Sequence, residues 1–353
     1  MLKRKKRTLL LRGSELPPDA PHVDVVVHRI ISLAEAMAEI EFYEYQREFA
    51  WAFIETIVLN TSDRLTGLFS RQSGKSRIVG AVAASLALSL PWLAETFPLD
   101  WRFNMTDEQG NYRGYSGGFS MGIYAPKKEQ AQITLEKVQI TMDTETTKQI
   151  MEEMGVVWSI ANGTTVGLSN GSVVRAMSAS PQSHIEGDSH NCICLEESQD
   201  IDDTVIEKSL TPMVSSTNGG IIRIGTPSIT KSNFYHAIRD NIRRDALEGT
   251  KTHFFYPCSV TTKYNSLYRE FVEKERQRLG EDSDAFQMSF ECKFLLQRGM
   301  FITEQSLFDE TTSIPFGPYS EIYTDGFHLP PIDDTGRQWD VVAGIDFGKK
   351  QDA

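Results

Sequence analysis

Residues 65–90 read LTGLFSRQSGKSRIVGAVAASLALSL, and the order of residue types in that stretch decides the fold. Leu65–Phe69 is an apolar, strand-like run. Gly74-Lys75-Ser76 follows it and opens an apolar helix read from Lys75 to Leu90. Strand, short polar loop and helix N-terminus together form the context of a phosphate-binding loop, because backbone N–H groups and the positive end of a helix face an anion there. In such a loop Lys75 suits the outer phosphates of a nucleotide and the Ser76 hydroxyl suits Mg2+. The pattern G-x-x-x-x-G-K-[ST] is incomplete, since Phe69 stands where its first Gly belongs.

Working outward, apolar residues recur at helical spacing from His28 to Val58, which predicts a leading helical segment before the first strand. Downstream, strands are read at Phe119–Ala125, Asn191–Leu195, Gly220–Gly225 and Thr252–Tyr256. Helices are read between them at Lys127–Met154, Asp202–Val214 and Asn233–Leu247. That alternation predicts an α/β fold with a mainly parallel sheet flanked by helices. Thr164–Leu168 and Ser172–Met177, separated by Ser169-Asn170-Gly171, predict an inserted antiparallel hairpin. Tyr264–Leu279 and Ser283–Leu296 predict a small helical subdomain, the second helix carrying Phe286, Phe290 and Phe294 on one face. The stretch 104–118 is read as a surface loop, and 304–340, rich in Pro, Gly and Asp, as a linker before a new strand within 341–353.

With 353 residues, 40% of them hydrophobic, the chain can bury a substantial core. Its net charge of −12 excludes a surface coated in basic residues, so any nucleic-acid contact is expected at a local patch. The basic run Lys3 to Arg7 is read as a solvated tail, with a nucleic-acid arm as the alternative. Cys192, Cys194, Cys258 and Cys292 lack metal-ligand spacing and are expected to be reduced structural residues of an intracellular protein. The apolar stretch Ile78–Leu90 is short of the ~20 residues that span a bilayer, so no membrane partner is expected.

Glu196-Glu197 ends the strand Asn191–Leu195. Two adjacent carboxylates at a strand's C-terminal end can divide labour, Glu196 toward a Mg2+ shell and Glu197 polarising an attacking water. The bland alternative is an acidic pair at the start of the next helix, near Asp200 and Asp202.

Read whole, Ser70-Arg71-Gln72-Ser73-Gly74-Lys75-Ser76 resembles the deviant Walker A loop of tailed-phage terminase large subunits, which carry Arg-Gln ahead of Gly-Lys-Ser or Gly-Lys-Thr. Tyr45-Gln46-Arg47 resembles that family's adenine-reading glutamine motif. Gly225-Thr226-Pro227 resembles its coupling motif, in which a hydroxyl senses the γ-phosphate, and Ser178–Gly187 its loop before the Walker B strand, with Glu186 in place of a basic residue. Glu196 departs from the Asp usual there. Gly344-Ile345-Asp346-Phe347-Gly348 is similar to the first metal-binding strand of the family's nuclease domain, with Asp346 as a metal ligand.

The resemblance implies a P-loop NTPase of ASCE type with ATP and Mg2+ as cofactors. Ser70 to Ser76, Gln46 and Thr226 would contact the nucleotide, Ser76 and Glu196 the metal, and Arg71 the γ-phosphate. The implied divisions are 1–60 arm and leading helices, 61–260 ATPase core, 261–303 helical lid, 304–340 linker and 341–353 first nuclease strand; nuclease activity is not expected of these residues, since such a site needs several acids on separate strands. The implied function is a motor that drives double-stranded viral DNA into a procapsid in the host cytoplasm, with portal protein, small terminase subunit and a homo-oligomeric ring as partners, the isolated chain being a candidate monomer. A nucleotide-binding assembly module with little turnover and a helicase-like translocase are the alternatives.

Overall fold

The computed structural model describes residues 22–96, 118–181, 183, 187–228 and 232–295. The chain divides into two units, Met1–Gln297 and Arg298–Ala353, and every described residue belongs to the first. The basic run at 3–7, Glu186, the linker and the strand carrying Asp346 lie outside the described residues, as does most of the 104–118 loop.

The leading segment is two helices, α1 (His22–Met37) and α2 (Glu44–Val58). The chain turns between them because Glu39 takes a left-handed conformation and the Phe42 N–H donates to Glu35 Oε1 at 2.8 Å. The same Glu35 carboxylate pairs with Arg47 of α2 at 2.9 Å with both side chains buried, so the pair pins the crossing of the two helices.

Eight strands form one sheet: β1 (Arg64–Phe69), β2 (Ser120–Ala125), β3 (Trp158–Ala161), β4 (Thr165–Leu168), β5 (Val173–Ser178), β6 (Cys192–Leu195), β7 (Gly220–Gly225) and β8 (His253–Tyr256). Their order is β3-β4-β5-β2-β6-β7-β1-β8. The run from β5 to β8 is parallel, while β4 is antiparallel to both its neighbours. The hairpin forms around Asn170-Gly171, with Gly171 at φ +88. Its second strand, however, pairs along its length with β2, so β5 belongs to the main sheet; the additions are β4 and a short, largely exposed edge strand, β3, that the sequence reading does not contain.

The sheet is covered on both faces. Cys192 and Cys194 of β6 point into the large core that also holds α1 and α2, whereas Ile193 and Leu195 point into a second core on the other face. α3 (Lys75–Thr96) crosses α4 (Lys128–Met142) closely at Gly80, where a Cβ would lie 2.5 Å from that of Lys137. α3 runs past the expected stop at Leu90 with Pro91 in its interior. Proline has no N–H for the carbonyl four residues back, and the Asn170 amide of the hairpin turn supplies it, donating to Ala87 O at 2.9 Å and Leu88 O at 3.3 Å. The helix is thus long and apolar enough to cross a bilayer over Lys75–Leu93, but 83% of that window is buried inside the protein, as in a core helix.

The expected helix 127–154 is broken into α4 and α5 (Glu145–Met154), with Thr144 capping α5 and donating to Met37 O at 2.6 Å. The stretch read as helix 202–214 is irregular: a turn of α-helix, α6 (Asp203–Val205), a π-turn (Ile206–Leu210) and a 3-10 turn (Thr211–Val214), with Pro212 removing an N–H from the ladder. α7 (Asn233–Glu248) and β8 lead to α8 (Cys258–Thr261), α9 (Ser266–Leu279) and α10 (Asp284–Ser289). The last helix stops well before Leu296 because Phe290 O turns away to accept the Cys258 N–H at 2.7 Å. Phe286 and Phe290 stack as expected, but Phe294 packs against Tyr235 instead.

Candidate phosphate-binding site

The interposition of β7 between β1 and β6 brings three chain segments to one edge of the sheet. Register pairs Leu68 with Gly225 and Leu195 with Arg223, so the loop after β1, Glu196-Glu197 after β6 and Thr226 after β7 emerge side by side. In parallel sheets this carboxyl edge is where ligands bind.

The loop 70–76 has the backbone of an anion cradle. Gln72 stands at φ +60 and Gly74 at φ +87, where a Cβ would also meet Gln46 Nε2 at 2.9 Å. The loop is anchored from several sides: Ser70 N–H to Tyr256 O at 2.9 Å, Arg71 N–H to Ser289 O at 2.9 Å, Arg71 O accepting from Tyr268 Oη at 2.5 Å, and Ser73 O accepting from Tyr45 Oη at 2.6 Å. Ser70 Oγ faces Thr261 Oγ1 at 3.2 Å, while buried Ser73 Oγ has no partner among the described residues. Phe69 is fully buried against Phe49 and Tyr256, so the residue in the first Gly position serves as a core anchor below the loop.

Lys75 extends from the first residue of α3 to an ion pair with Glu197. Burial opposes the ammonium, yet Glu196 and Glu197 outweigh it and hold Lys75 above its ordinary pKa. Glu197 also feels burial, but Lys75, a hydrogen bond from Gln199 at 2.8 Å and the Arg71 charge leave its carboxyl below the usual range. Glu196 is driven the other way: burial raises it, and the opposing pull of Lys75 and of hydrogen bonds from Thr134, at 2.6 Å, and Ser76 does not compensate. Two adjacent glutamates therefore sit in different electrostatic states, the separation that lets a carboxylate pair divide labour.

Glu196 and Ser76 meet, and they suit Mg2+ arriving with a nucleotide, since that ion takes one or two protein oxygens and keeps waters and substrate phosphates for the rest. No group of three or more His, Cys, Asp or Glu forms a metal cage among the described residues. Thr226 follows β7 with its N–H 3.3 Å from Gln199 Oε1. Arg71 is exposed at the rim. Gln46 lies beneath Gly74 with its amide partly engaged, accepting from Tyr43 N–H at 3.0 Å and donating toward Tyr45 Oη and Ser73 O.

Beside the loop opens a cleft of about 370 Å³ lined by residues 40–43, Tyr45, Gln46, Gln72 to Gly74, Arg77, Ile78, Thr261, Asn265 and Tyr268. Tyr43 stacks on Tyr264 at 5.2 Å, and Tyr45 packs against Tyr256 and Tyr264. Its dimensions and aromatic wall suit a nucleoside. Tyr45 enters the sequence reading only as part of the glutamine motif, with no role of its own, and Thr134, Gln199 and Tyr268 do not enter it. Gln199 follows the Glu pair and so had a positional signal; Thr134 and Tyr268 sit on helices whose pattern says only that they face inward.

A family model described as terminase large subunit, T4-like-virus type, N-terminal part, matches residues 66–313. No curated protein matches the sequence. The ATPase domain of the large terminase of Thermus phage P74-26 is similar in fold, with a TM-score of 0.51 at 17% identity, covering 74% of this chain and 97% of that domain. A point mutant of the same domain gives 0.52 over the same shares. The large terminase of bacteriophage HK97 gives 0.45 at 15% identity, and this chain spans 50% of its length.

Proposed function

The chain belongs to the terminase large subunits of the T4-like-virus type, and on that premise we propose that it is the ATP-hydrolysing motor subunit that drives double-stranded viral DNA into a procapsid. The observation that carries this reading is the meeting of Lys75, Glu197 and Gln199 at the mouth of an anion cradle.

In the proposed reaction the nucleotide's β- and γ-phosphates replace Glu197 as the partner of Lys75, and backbone N–H groups of the loop receive the remaining phosphate charge. Freed, the Glu197 carboxylate orients a water in line with the γ-phosphorus. The water's oxygen bonds to phosphorus as the bond to the ADP oxygen breaks, and the water proton passes toward the carboxylate. Ser76 and Glu196, which hydrogen-bond to one another, would hold Mg2+, which would neutralise developing phosphate charge. Arg71, exposed at the rim, is proposed to reach the γ-phosphate, and Thr226 is proposed to register its loss. The base is proposed to lie in the tyrosine-walled cleft against Gln46. With a net charge of −12, DNA is expected to meet a local patch. The portal, a small terminase subunit and a ring of copies in the infected host's cytoplasm complete the proposal.

The first test is steady-state ATP hydrolysis with Mg2+ by the chain and by Lys75→Ala and Glu197→Gln. Lys75→Ala is expected to lose binding and turnover. Glu197→Gln is expected to keep binding and to lose roughly 10²–10⁴-fold in kcat, the range for a positioned acid–base group. Nucleotide binding without turnover in the parent chain would favour an assembly module, a reading to which the departure at Glu196 lends itself. An unchanged rate in Glu197→Gln would sink the catalytic assignment.

A further inference from the structure

Gln199 occupies the turn immediately after the glutamate pair and is buried, at 8% exposure. Its amide is fully used in one direction-specific arrangement. Nε2 donates to Glu197 Oε2 at 2.8 Å and to Asp200 Oδ2 at 3.1 Å, while Oε1 accepts the Thr226 N–H at 3.3 Å. The end of β7 is shaped around it: a Cβ on Gly225 would come within 2.1 Å of Gln199 Oε1, so any side chain there displaces the amide. Glu197 itself stands at φ +48, a left-handed conformation that a glutamate holds only when its surroundings over-determine it. The Gln199 bond is one of those determinants, and a second comes from the Asp200 N–H, which closes the same turn on Glu197 O at 2.9 Å.

We propose that Gln199 is a positioning residue that ties the Glu197 carboxylate to the strand end at Gly225-Thr226, so that a shift of the one moves the other. The inference rests on the reading of Glu197 as the group that orients water, and it goes beyond that reading by naming the physical link between the chemistry and the segment that registers it. Neither end of the amide can be exchanged for an apolar atom without loss: the nitrogen side fixes the carboxylate's rotamer, and the oxygen side satisfies a backbone donor. Because Lys75 holds the other carboxylate oxygen, Gln199 is the partner that remains once phosphates draw Lys75 away.

The test is ATP hydrolysis by the full chain carrying Gln199→Met, which keeps the volume and removes all three bonds, and by Gly225→Ala, Gln199→Ala and their double variant. Gln199→Met is expected to lower kcat by roughly 10–100-fold, the cost of an ångström-scale misplacement, with KM for ATP within about twofold. Gly225→Ala is expected to lower kcat by displacing the amide, and the double variant to be no worse than Gln199→Ala alone, because the clash has gone. A Gln199→Met enzyme with parental kcat, or strictly multiplicative losses in the double variant, overturns the link while leaving Glu197 in place. A parent chain without turnover overturns both readings at once.

Discussion

At the scale of single residues, environment decides what identical side chains do. Glu196 and Glu197 are neighbours of one type, yet one is enclosed beside Thr134 and the other opens toward Lys75 and Gln199. The meeting of Lys75 and Ser76 with the glutamates was legible, because a phosphate-binding reading calls for those residue types at those spacings. Gln199 was not, because its importance lies in which atoms face it across a strand end. Two buried histidines give a residue-scale prediction. Burial depresses both His190, hydrogen-bonded to Ser120 and Tyr124, and His253, facing Thr66, to about 4 from an ordinary 6.5. The unfolded chain therefore binds protons that the folded chain refuses between those values. Their contribution is intact above 6.5 and is lost as pH falls through about 4, by up to ~3 kcal/mol per imidazole. Urea unfolding from pH 7 to 4 is expected to show the fall and His190→Gln a shallower one; equal slopes would mean that other groups carry it.

At the scale of elements, the strands that form the parallel sheet were legible from apolar runs, and the departures have local causes. Pro91 marks a helix end in sequence because it lacks an N–H, yet α3 continues since the Asn170 side chain, distant in sequence, satisfies Ala87 O. No reading of the helix alone could supply that donor. The end of α10 at Ser289 is similar: the Phe290 carbonyl is drawn to Cys258, a contact across the fold. Asn170→Ala should therefore leave a buried carbonyl unpaired and cost about 1–3 kcal/mol. Pro91→Ala restores the helical N–H, so in that background the same substitution should cost clearly less. Denaturant unfolding of the four proteins measures the coupling, and additive losses would show that Asn170 acts only on its own turn.

At the scale of the whole molecule, the cleft gathers segments that are remote in the chain. The turn between α1 and α2, the loop 70–76, α8 and the start of α9 all line it. The leading helices share the main core with β1 and α3, so they fold as part of the sheet's support. Tyr268 and Ser289 in turn hold the backbone of Arg71 from the far side. A nucleotide that orders the loop must then be felt in both flanking segments, because the loop's own backbone bonds run to them. Binding should stabilise the folded state by about 2.7 kcal/mol at a hundredfold excess over Kd. Hydrogen exchange with a non-hydrolysable ATP analogue and Mg2+ should show protection at 40–46 and 258–268 together with 70–76, and Lys75→Ala should lose all three. Protection confined to 70–76 would mean that the loop binds phosphate as an isolated cradle, and that the tyrosine-walled cleft beside it holds no base.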